Sequence, residues 1–528
     1  DASNRDRITQ LLVGHLGAVF HPAPKRVLVI GFGSGMTVSA VARHPDVEWI
    51  DVVEIEPAVI RAAPHLVTLN RNVLSDKRVH VFLDDARNFL LTTRNHYDLI
   101  VSEPSNPWIA GVSSLFTDEF YREAKARLNP GGMFVQWVQA YSLFPEDFQM
   151  ILGTFSPHFP QVTLWRGEPP DYLVLGQTRA EPLRLDRLRR MWDVPGVHSD
   201  FLELGIDRPE GIMAFHRLDD ADLRILVSRT SVRNTDDRTV LEYRAPRALL
   251  AEGLDHKNNQ LIWDHRLNPG SQIVQVEDLR ASLIAAAMTL VRLEDRDAEH
   301  FLKFLADAPE SAELLLARGR WSLHGSRFPD ARTNLQRALQ LDPNLIDAAY
   351  YLGEVARRSA DLSTAELMFR QVLARKPEHI DAMRGLMQVA RSRNRWEEAI
   401  EWQARLLKAF PEAKADDYSR LGELLTHANK MDLAERAFLA ALERDPYSYS
   451  AHRNLAMLYQ KKGDAQRTQQ QLEFIIRFFP TTDAAVYVNL AQLYSQQKER
   501  RNALAVLRKG NRIFPKDQEI LRMMSVTH

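Results

Sequence analysis

The stretch Val27-Leu-Val-Ile-Gly-Phe-Gly-Ser-Gly35 decides the fold of the N-terminal half. An aliphatic run ends in three glycines at alternate positions, which predicts a buried strand followed by a tight loop. Backbone amides in such a loop can approach a ligand closely, because no side chains stand in the way. Taken alone, the loop fits either a nucleoside-binding turn or a glycine turn without a ligand.

Short apolar runs alternate with helical segments from Arg26 to about Gln177, which predicts a doubly wound α/β fold with a parallel sheet. The turn-rich Arg166-Gly-Glu-Pro-Pro170 predicts that the sheet ends in an antiparallel hairpin. We expect seven strands at Arg26–Ile30, Trp49–Glu54, Val79–Leu83, Tyr97–Val101, Met133–Val138, Gln161–Trp165 and Tyr172–Leu175.

Polar residues follow the predicted strands, where an open α/β sheet binds its ligand. Glu54 lies 23 residues after Gly31, the place of an acid that accepts hydrogen bonds from ribose hydroxyls. Asp84-Asp85-Ala86 offers a carboxylate to the exocyclic amine of an adenine, and Ser102-Glu-Pro-Ser-Asn-Pro-Trp108 is a rigid polar loop. Each acid alone also fits a solvated surface, but the four features in this order favour a nucleoside site.

The C-terminal half repeats. Its prolines at positions 309, 343, 377, 411, 446, 480 and 515 are spaced by 34 or 35 residues, the tetratricopeptide period. We expect six repeats and a terminal helix over residues 309–528, forming an all-α superhelix that recruits a protein or peptide. The alternative is that the repeats only package the chain or mediate self-association into a homo-oligomer. Two helices at about 278–291 and 298–306 are expected to cap the first repeat.

The composition excludes several classes of protein. A net charge of −1 gives no global reason to expect nucleic acid or lipid as a partner, and the absence of cysteine excludes disulfides and thiolate chemistry. The histidines show no metal-like spacing, so no metal is expected. The most apolar stretch, residues 282–291, is half the length of about 20 residues that a membrane span needs. The start at Asp1 predicts a processed protein or a piece of a longer one.

Seven motifs together resemble the spermidine synthase (polyamine aminopropyltransferase) family, whose fold is similar to that of class I methyltransferases. They are Val27–Gly35, Val53-Glu-Ile-Glu56, Asp85-Ala-Arg-Asn-Phe89, Glu103-Pro-Ser-Asn-Pro107, Ser114-Leu-Phe-Thr117, Phe120-Tyr121 and Leu128-Asn-Pro-Gly-Gly132. The resemblance covers about residues 1–177, and we expect a transferase domain over 1–250 and a helical connector over 251–308.

Two later motifs, Asn234-Thr-Asp-Asp-Arg238 and Glu242-Tyr-Arg-Ala-Pro246, resemble the branch of the family in which this domain follows a membrane-embedded segment. The expected location is therefore the cytoplasm, either free or attached to a membrane through a segment upstream of Asp1.

The resemblance implies transfer of an aminopropyl group from decarboxylated S-adenosylmethionine to an amine. Glu103 falls on the catalytic acid, which would take a proton from the attacking ammonium, because only the neutral amine has the lone pair for displacement. The implied nucleoside-binding residues are Gly31, Gly33, Ser34, Gly35, Glu54 (ribose), Asp85 (adenine) and Ala86, and Asn106 and Trp108 are expected at the acceptor.

The sequence departs from the family pattern at the acceptor side. Ser34 and Asn106 stand where the family has aspartates, and Thr9 and Leu11 align with a tyrosine and a glutamate that clasp the amine. We therefore expect putrescine to be a poor acceptor, since its charges would be desolvated without compensation. Two alternatives stay open: a methyltransferase that uses intact S-adenosylmethionine, and an inactive nucleoside-binding scaffold that serves the repeats.

Overall fold

The structure, a computed structural model, describes residues 6–266, 271, 274–410 and 413–527. The chain divides into two compact units, residues 1–310 and 311–528. Residues 251–308, expected to form a connector, lie within the first unit. Asp1 and Pro411, the fourth proline of the series, lie outside the described residues.

The described residues of the first unit form ten strands, and all seven strands expected from the sequence are among them. They are β1 Arg26–Ile30, β2 Trp49–Glu54, β3 Val79–Leu83, β4 Tyr97–Ser102, β5 Leu128–Gln139, β6 Gln161–Arg166, β7 Asp171–Gln177, β8 Leu183–Arg184, β9 His216–Leu218 and β10 Val274–Gln275.

Eight of these strands form one sheet in the order β3-β2-β1-β4-β5-β7-β6-β9. Strands β1 to β5 are parallel, whereas β7 runs antiparallel to β5 and β6 antiparallel to β7, which confirms the terminal hairpin. The short β9 adds an eighth strand that was not predicted from the sequence, since three residues are too few to show a strand pattern. The order reverses between β1 and β4, where doubly wound sheets bind ligands.

Fourteen α-helices and five short 3₁₀ helices complete the first unit. The α-helices are α1 Asp6–Phe20, α2 Met36–Ala42, α3 Pro57–Ala62, α4 Val67–Asn70, α5 Ala86–Thr92, α6 Asp118–Ala126, α7 Pro145–Phe155, α8 Asp186–Met191, α9 Pro195–Glu203, α10 Asp220–Val227, α11 Val240–Ala248, α12 Leu254–His265, α13 Leu279–Arg292 and α14 Ala298–Phe304. The 3₁₀ helices are Ala63–Leu66, Val73–Ser75, Val112–Phe116, Ser156–His158 and Pro209–Ala214.

Helices cover both faces of the sheet. On one face, α1 packs so closely that a Cβ on Gly17 would lie 2.2 Å from the Leu99 side chain. Alternate strand residues such as Leu28, Ile100 and Phe134 point to the other face and join the aromatic core beneath α5, α6 and α7. This double cover explains why the central strands are largely apolar.

The second unit consists of six helix pairs and a terminal helix. These are α15 Ala312–His324 with α16 Phe328–Leu341, α17 Ile346–Arg358 with α18 Leu362–Arg375, α19 Ile380–Ser392 with α20 Trp396–Ala409, α21 Ala415–His427 with α22 Met431–Arg444, α23 Tyr449–Lys462 with α24 Ala465–Phe478, α25 Ala484–Gln496 with α26 Arg500–Ile513, and α27 Gln518–Thr527.

Small residues let the paired helices approach one another. A Cβ on Gly353 would lie 2.7 Å from the ring of Phe369, and one on Gly422 would lie 2.4 Å from the ring of Phe438. Both aromatic side chains are almost fully buried. The period of the sequence is therefore the period of a stacked helix pair, as in other tetratricopeptide arrays.

Candidate active site

The glycine loop lies at the end of β1, directly beside the start of the loop that follows β4. Gly31 has a φ of +90°, and a Cβ there would lie 2.6 Å from the carbonyl oxygen of Glu103, so only glycine fits. The Glu103 amide in turn donates to the Ile30 carbonyl at 3.0 Å. The two loops at the reversal of strand order are thus joined backbone to backbone.

The surface of the loop is open around Gly33. Its φ is +53°, and a Cβ there would meet no other atom within 4 Å. Gly35 also has a positive φ and precedes the first residue of α2. The hydroxyl of Ser34, by contrast, already makes two hydrogen bonds. It donates to Oε1 of Gln10 at 2.7 Å and accepts from the Met36 amide at 3.3 Å. The open space is on the glycine side of the loop, where a nucleoside has room to approach.

Glu54 is buried at the end of β2 and holds the glycine loop. Its Oε2 accepts from the Phe32 amide and its Oε1 from the Glu56 amide, both at 2.9 Å. A carboxylate oxygen can accept about two hydrogen bonds, so each oxygen keeps capacity for a ribose hydroxyl. Glu54 therefore fits the predicted ribose contact and also shapes the loop beside it.

Asp85 follows β3 and forms the N-cap of α5. Its Oδ1 accepts from the amides of Arg87 at 2.9 Å and Asn88 at 3.0 Å, and Ala86 is buried at the first position of the helix. The neighbouring Asp84 amide donates to the Glu54 carbonyl at 3.2 Å. The predicted adenine-binding residues thus lie at the strand end next to the predicted ribose acid.

Two large apolar side chains are exposed between these polar residues. Ile55 is 69% exposed directly after Glu54, and Leu83 is 57% exposed directly before Asp84. Exposed aliphatic residues at the ligand edge of a sheet are suited to the faces of an aromatic base. These two residues were not predicted, because only the polar residues at the strand ends were considered. An aliphatic residue next to each acid at a strand end is the sequence signal that could have identified them.

Glu103 lies at the end of β4 with most of its side chain buried. Its Oε2 accepts a hydrogen bond from the hydroxyl of Thr37, which belongs to α2. Burial raises the pKa of Glu103 to about 7, against the opposing effect of the Thr37 hydrogen bond and with support from the negative charge of Asp171. A carboxylate with such a pKa can take up a proton near neutral pH.

Asn106 and Trp108 lie together beside Tyr141. The Tyr141 hydroxyl donates to Oδ1 of Asn106 at 2.8 Å, and the rings of Trp108 and Tyr141 meet edge to face with centroids 5.7 Å apart. Trp137, in β5, is buried and 8% exposed. The acceptor loop is therefore braced by residues that follow β5.

Asp171, at the start of β7, was not predicted as a site residue. Its Oδ2 accepts from the Thr9 hydroxyl at 2.8 Å, and its negative charge reaches Glu103. Thr9 therefore lies at the site, whereas Leu11, the other residue aligned with the amine clasp, is buried in the core. The terminal hairpin was the signal that could have found Asp171, because an antiparallel strand begins at the edge where the parallel strands end.

A family model described as the spermine/spermidine synthase domain matches residues 7–175. The polyamine aminopropyltransferase of Erwinia tasmaniensis is 33% identical to this chain over 197 residues, which are 37% of this chain and 68% of that protein. The chain belongs to the polyamine aminopropyltransferase family. These proteins are transferases, and the match covers the whole sheet core apart from its last strands.

Other relatives match over shorter lengths. The polyamine aminopropyltransferase of Clostridium tetani is 29% identical over 162 residues, 30% of this chain and 57% of that protein. A crystal structure of a spermidine synthase with the transition state analogue AdoDATO is 23% identical, with a TM-score of 0.31, and the match covers 35% of this chain and 64% of that one. The aminopropyltransferase domain thus spans 57–68% of these relatives' lengths.

The second unit matches family models as well. Two tetratricopeptide repeat models match residues 348–414 and 484–517. The chain is therefore an aminopropyltransferase domain followed by a tetratricopeptide array.

The two later motifs of the aminopropyltransferase domain hold the segment that follows the loop of Glu103. The buried side-chain amide of Asn234 donates to the carbonyls of Ser113 at 3.1 Å and Phe116 at 3.2 Å. Glu242 accepts from the Gly111 amide at 3.2 Å and from the Ser113 hydroxyl. These motifs therefore have a structural role in holding residues 111–116.

The described part of the chain contains neither a membrane-spanning helix nor a cluster of metal ligands. No helix there is long and apolar enough to cross a membrane. No group of three or more histidine, aspartate or glutamate side chains there is placed to hold a metal ion.

Proposed function

We propose that the aminopropyltransferase domain transfers an aminopropyl group from decarboxylated S-adenosylmethionine to an amine acceptor. The observation that carries the proposal is Glu103, a largely buried carboxylate with a pKa of about 7 on a loop joined to the glycine loop through Gly31. A proton acceptor at this place is what alkylation of an amine requires.

The donor fits the residues at the strand ends. Glu54 has hydrogen-bonding capacity for the ribose, Asp85 lies at the next strand end for the adenine amine, and Ile55 and Leu83 offer apolar surface to the base. The open space around Gly33 leaves room for the nucleoside to contact the backbone. The sulfonium of the donor supplies an electrophilic carbon with a good leaving group.

In the transfer itself, Glu103 takes the proton from the acceptor ammonium. The amine nitrogen then forms a bond to the carbon next to sulfur, the carbon–sulfur bond breaks, and its electron pair stays on sulfur in methylthioadenosine. Glu103 also favours the cationic donor through its own negative charge. Because burial raises the pKa of Glu103 to about 7, protonation of its carboxylate near pH 7 costs little free energy.

The test is product formation by the purified full chain. Incubated with decarboxylated S-adenosylmethionine and a panel of primary amines, it should release methylthioadenosine only when an amine is present. Release of S-adenosylhomocysteine from intact S-adenosylmethionine would instead favour methyl transfer. Nucleoside binding with neither product would favour the scaffold.

For the repeats we propose recruitment of a protein or peptide, supported by the match to tetratricopeptide models and by the extended surface that such arrays form. The fragment 311–528 should unfold cooperatively as a helical protein and enrich one peptide motif from a displayed library. Helicity that depends on residues 1–310 would contradict the independence of this unit.

A further inference from the structure

Asp171 lies where the sheet changes from parallel to antiparallel pairing. Strand β5 is parallel to β4, and β7 is antiparallel to β5 with Asp171 opposite Gln139, the last residue of β5. The start of β7 therefore lies at the edge where β4 ends, and β4 ends directly before Glu103. The topology places two carboxylates, from residues 68 positions apart in sequence, at one edge.

The Asp171 carboxylate is held through one of its two oxygens. Its Oδ2 accepts from the Thr9 hydroxyl at 2.8 Å, and the same hydroxyl oxygen accepts from the Glu168 amide at 3.0 Å. A Cβ on Gly167 would lie 2.6 Å from that oxygen, so the hairpin turn packs tightly against α1. This tight packing fixes the position of the carboxylate.

The other oxygen of this carboxylate is buried without a hydrogen-bond donor. Among the described residues no donor reaches Oδ1 of Asp171 in normal geometry, although the Trp137 indole is near enough to lower the pKa of the group. Nor does any lysine or arginine of the described chain pair with Asp171 or Glu103. A buried carboxylate oxygen without a donor is costly, and a cationic ligand would remove that cost.

The surroundings of Asp171 are negative. Burial, and to a smaller extent the charges of Asp6 and Glu168, raise its pKa to about 6, against the hydrogen bonds from Thr9 and Trp137. Asp171 in turn contributes to the raised pKa values of Glu103 and Tyr141.

The positions that carry acids in the family are already engaged. Ser34 donates its hydroxyl to Gln10. Oδ1 of Asn106 accepts from the Tyr141 hydroxyl, and as a neutral amide oxygen it offers an ammonium no negative charge. An acceptor ammonium would therefore find its anionic partner elsewhere in this chain.

We propose that Asp171 binds the ammonium of the acceptor amine and so determines which amines the site accepts. It would replace the aspartate that the family has at position 106. The inference rests on the proposed function, because it concerns the acceptor side of the same site. Since Asp171 belongs to the hairpin rather than to the loop of Glu103, its charge meets the acceptor from the side of α1 and β7.

The experiment measures amine binding apart from turnover. The full chain is saturated with methylthioadenosine and titrated by calorimetry with 1,3-diaminopropane, putrescine, cadaverine and butylamine, with 1-butanol as the neutral control. Asp171→Asn should weaken amine binding about 10- to 100-fold and leave methylthioadenosine binding unchanged. The control is Glu168→Gln, which also removes one negative charge from the hairpin. It should change amine binding less than about 2-fold if the position of the Asp171 carboxylate, and not the net charge of the hairpin, determines binding.

Wild-type protein gives a second measurement that needs no variant. Amine affinity should fall at least about 10-fold from pH 8 to pH 5, because Asp171 and Glu103 take up protons while the amine stays charged. A flat pH profile, equal affinity in Asp171→Asn, or no amine binding to the nucleoside complex would each overturn the role of Asp171. Amine binding without turnover would overturn the proposed function but not this inference.

Discussion

The two halves of the site are built in different ways. The donor half, comprising Gly31, Glu54 and Asp85, takes each residue from the end of a parallel strand, so sequence order and spatial order agree. The acceptor half, comprising Glu103, Asn106 and Asp171, combines one such strand end with a hairpin and with side chains from α1 and α2. Residues at the ends of consecutive strands can be predicted from sequence motifs. Residues that come together from distant elements are identified from the three-dimensional structure.

The largest expected effect is on turnover, with little effect on binding of the nucleoside. Glu103→Gln keeps the size and the hydrogen bond from Thr37 but removes proton acceptance, so kcat should fall about 10²- to 10⁴-fold. Calorimetry with methylthioadenosine should show little change. The control is Glu48→Gln, which removes an exposed carboxylate of the same unit. Aminopropyl transfer that survives in Glu103→Gln would contradict the proposed base. Methyl transfer from intact S-adenosylmethionine that survives in the variant would favour the methyltransferase alternative.

The next effect falls on the donor half alone. Glu54→Ala removes the ribose acid and the acceptor for the Phe32 amide, and should weaken methylthioadenosine binding by about 1.5–3 kcal/mol. Glu56→Ala is a matched control, because Glu56 caps α3 through the Ala58 amide. If both variants bind the nucleoside equally well, Glu54 does not contact the ribose.

A smaller effect tests whether the acceptor half can be returned to the family pattern. The double change Ser34→Asp with Asn106→Asp should raise kcat/KM for putrescine, by about 10-fold or less, since it supplies two missing charges. An aspartate at position 106 can still accept from Tyr141. Rapid formation of spermidine by the wild-type chain would contradict the expectation that putrescine is a poor acceptor.

The smallest effect concerns stability. The pKa of Glu103 is raised from its ordinary value to about 7 in the folded chain, so folding favours the protonated carboxyl. Its contribution to stability is present below about pH 4.5 and is lost as the pH rises through 7. Glu103→Gln should therefore unfold at the same denaturant concentration as wild type at pH 4 but be more stable at pH 8, on the order of 1 kcal/mol. Equal stability at both values would mean that the carboxylate is solvated.

The sequence predicted the parts of the fold that repeat or alternate. All seven predicted strand runs correspond to strands of the sheet, because cover on both faces makes the central strands largely apolar. Gly31, Glu54 and Asp85 could be placed at one edge by topology alone. The eighth strand could not be predicted, since His216–Leu218 carries no strand pattern. Asp171 belongs to no motif and was missed, although the predicted hairpin places it at this edge, opposite Gln139.

The end of the sheet at β6 and β7 also has a consequence for evolution. The turn between these strands can exchange residues without altering the contact between Gly31 and Glu103, because that contact lies two strands away, between β1 and β4. Substitutions in residues 167–171 are therefore a route by which related proteins can change their acceptor while they keep the backbone contact between the two loops.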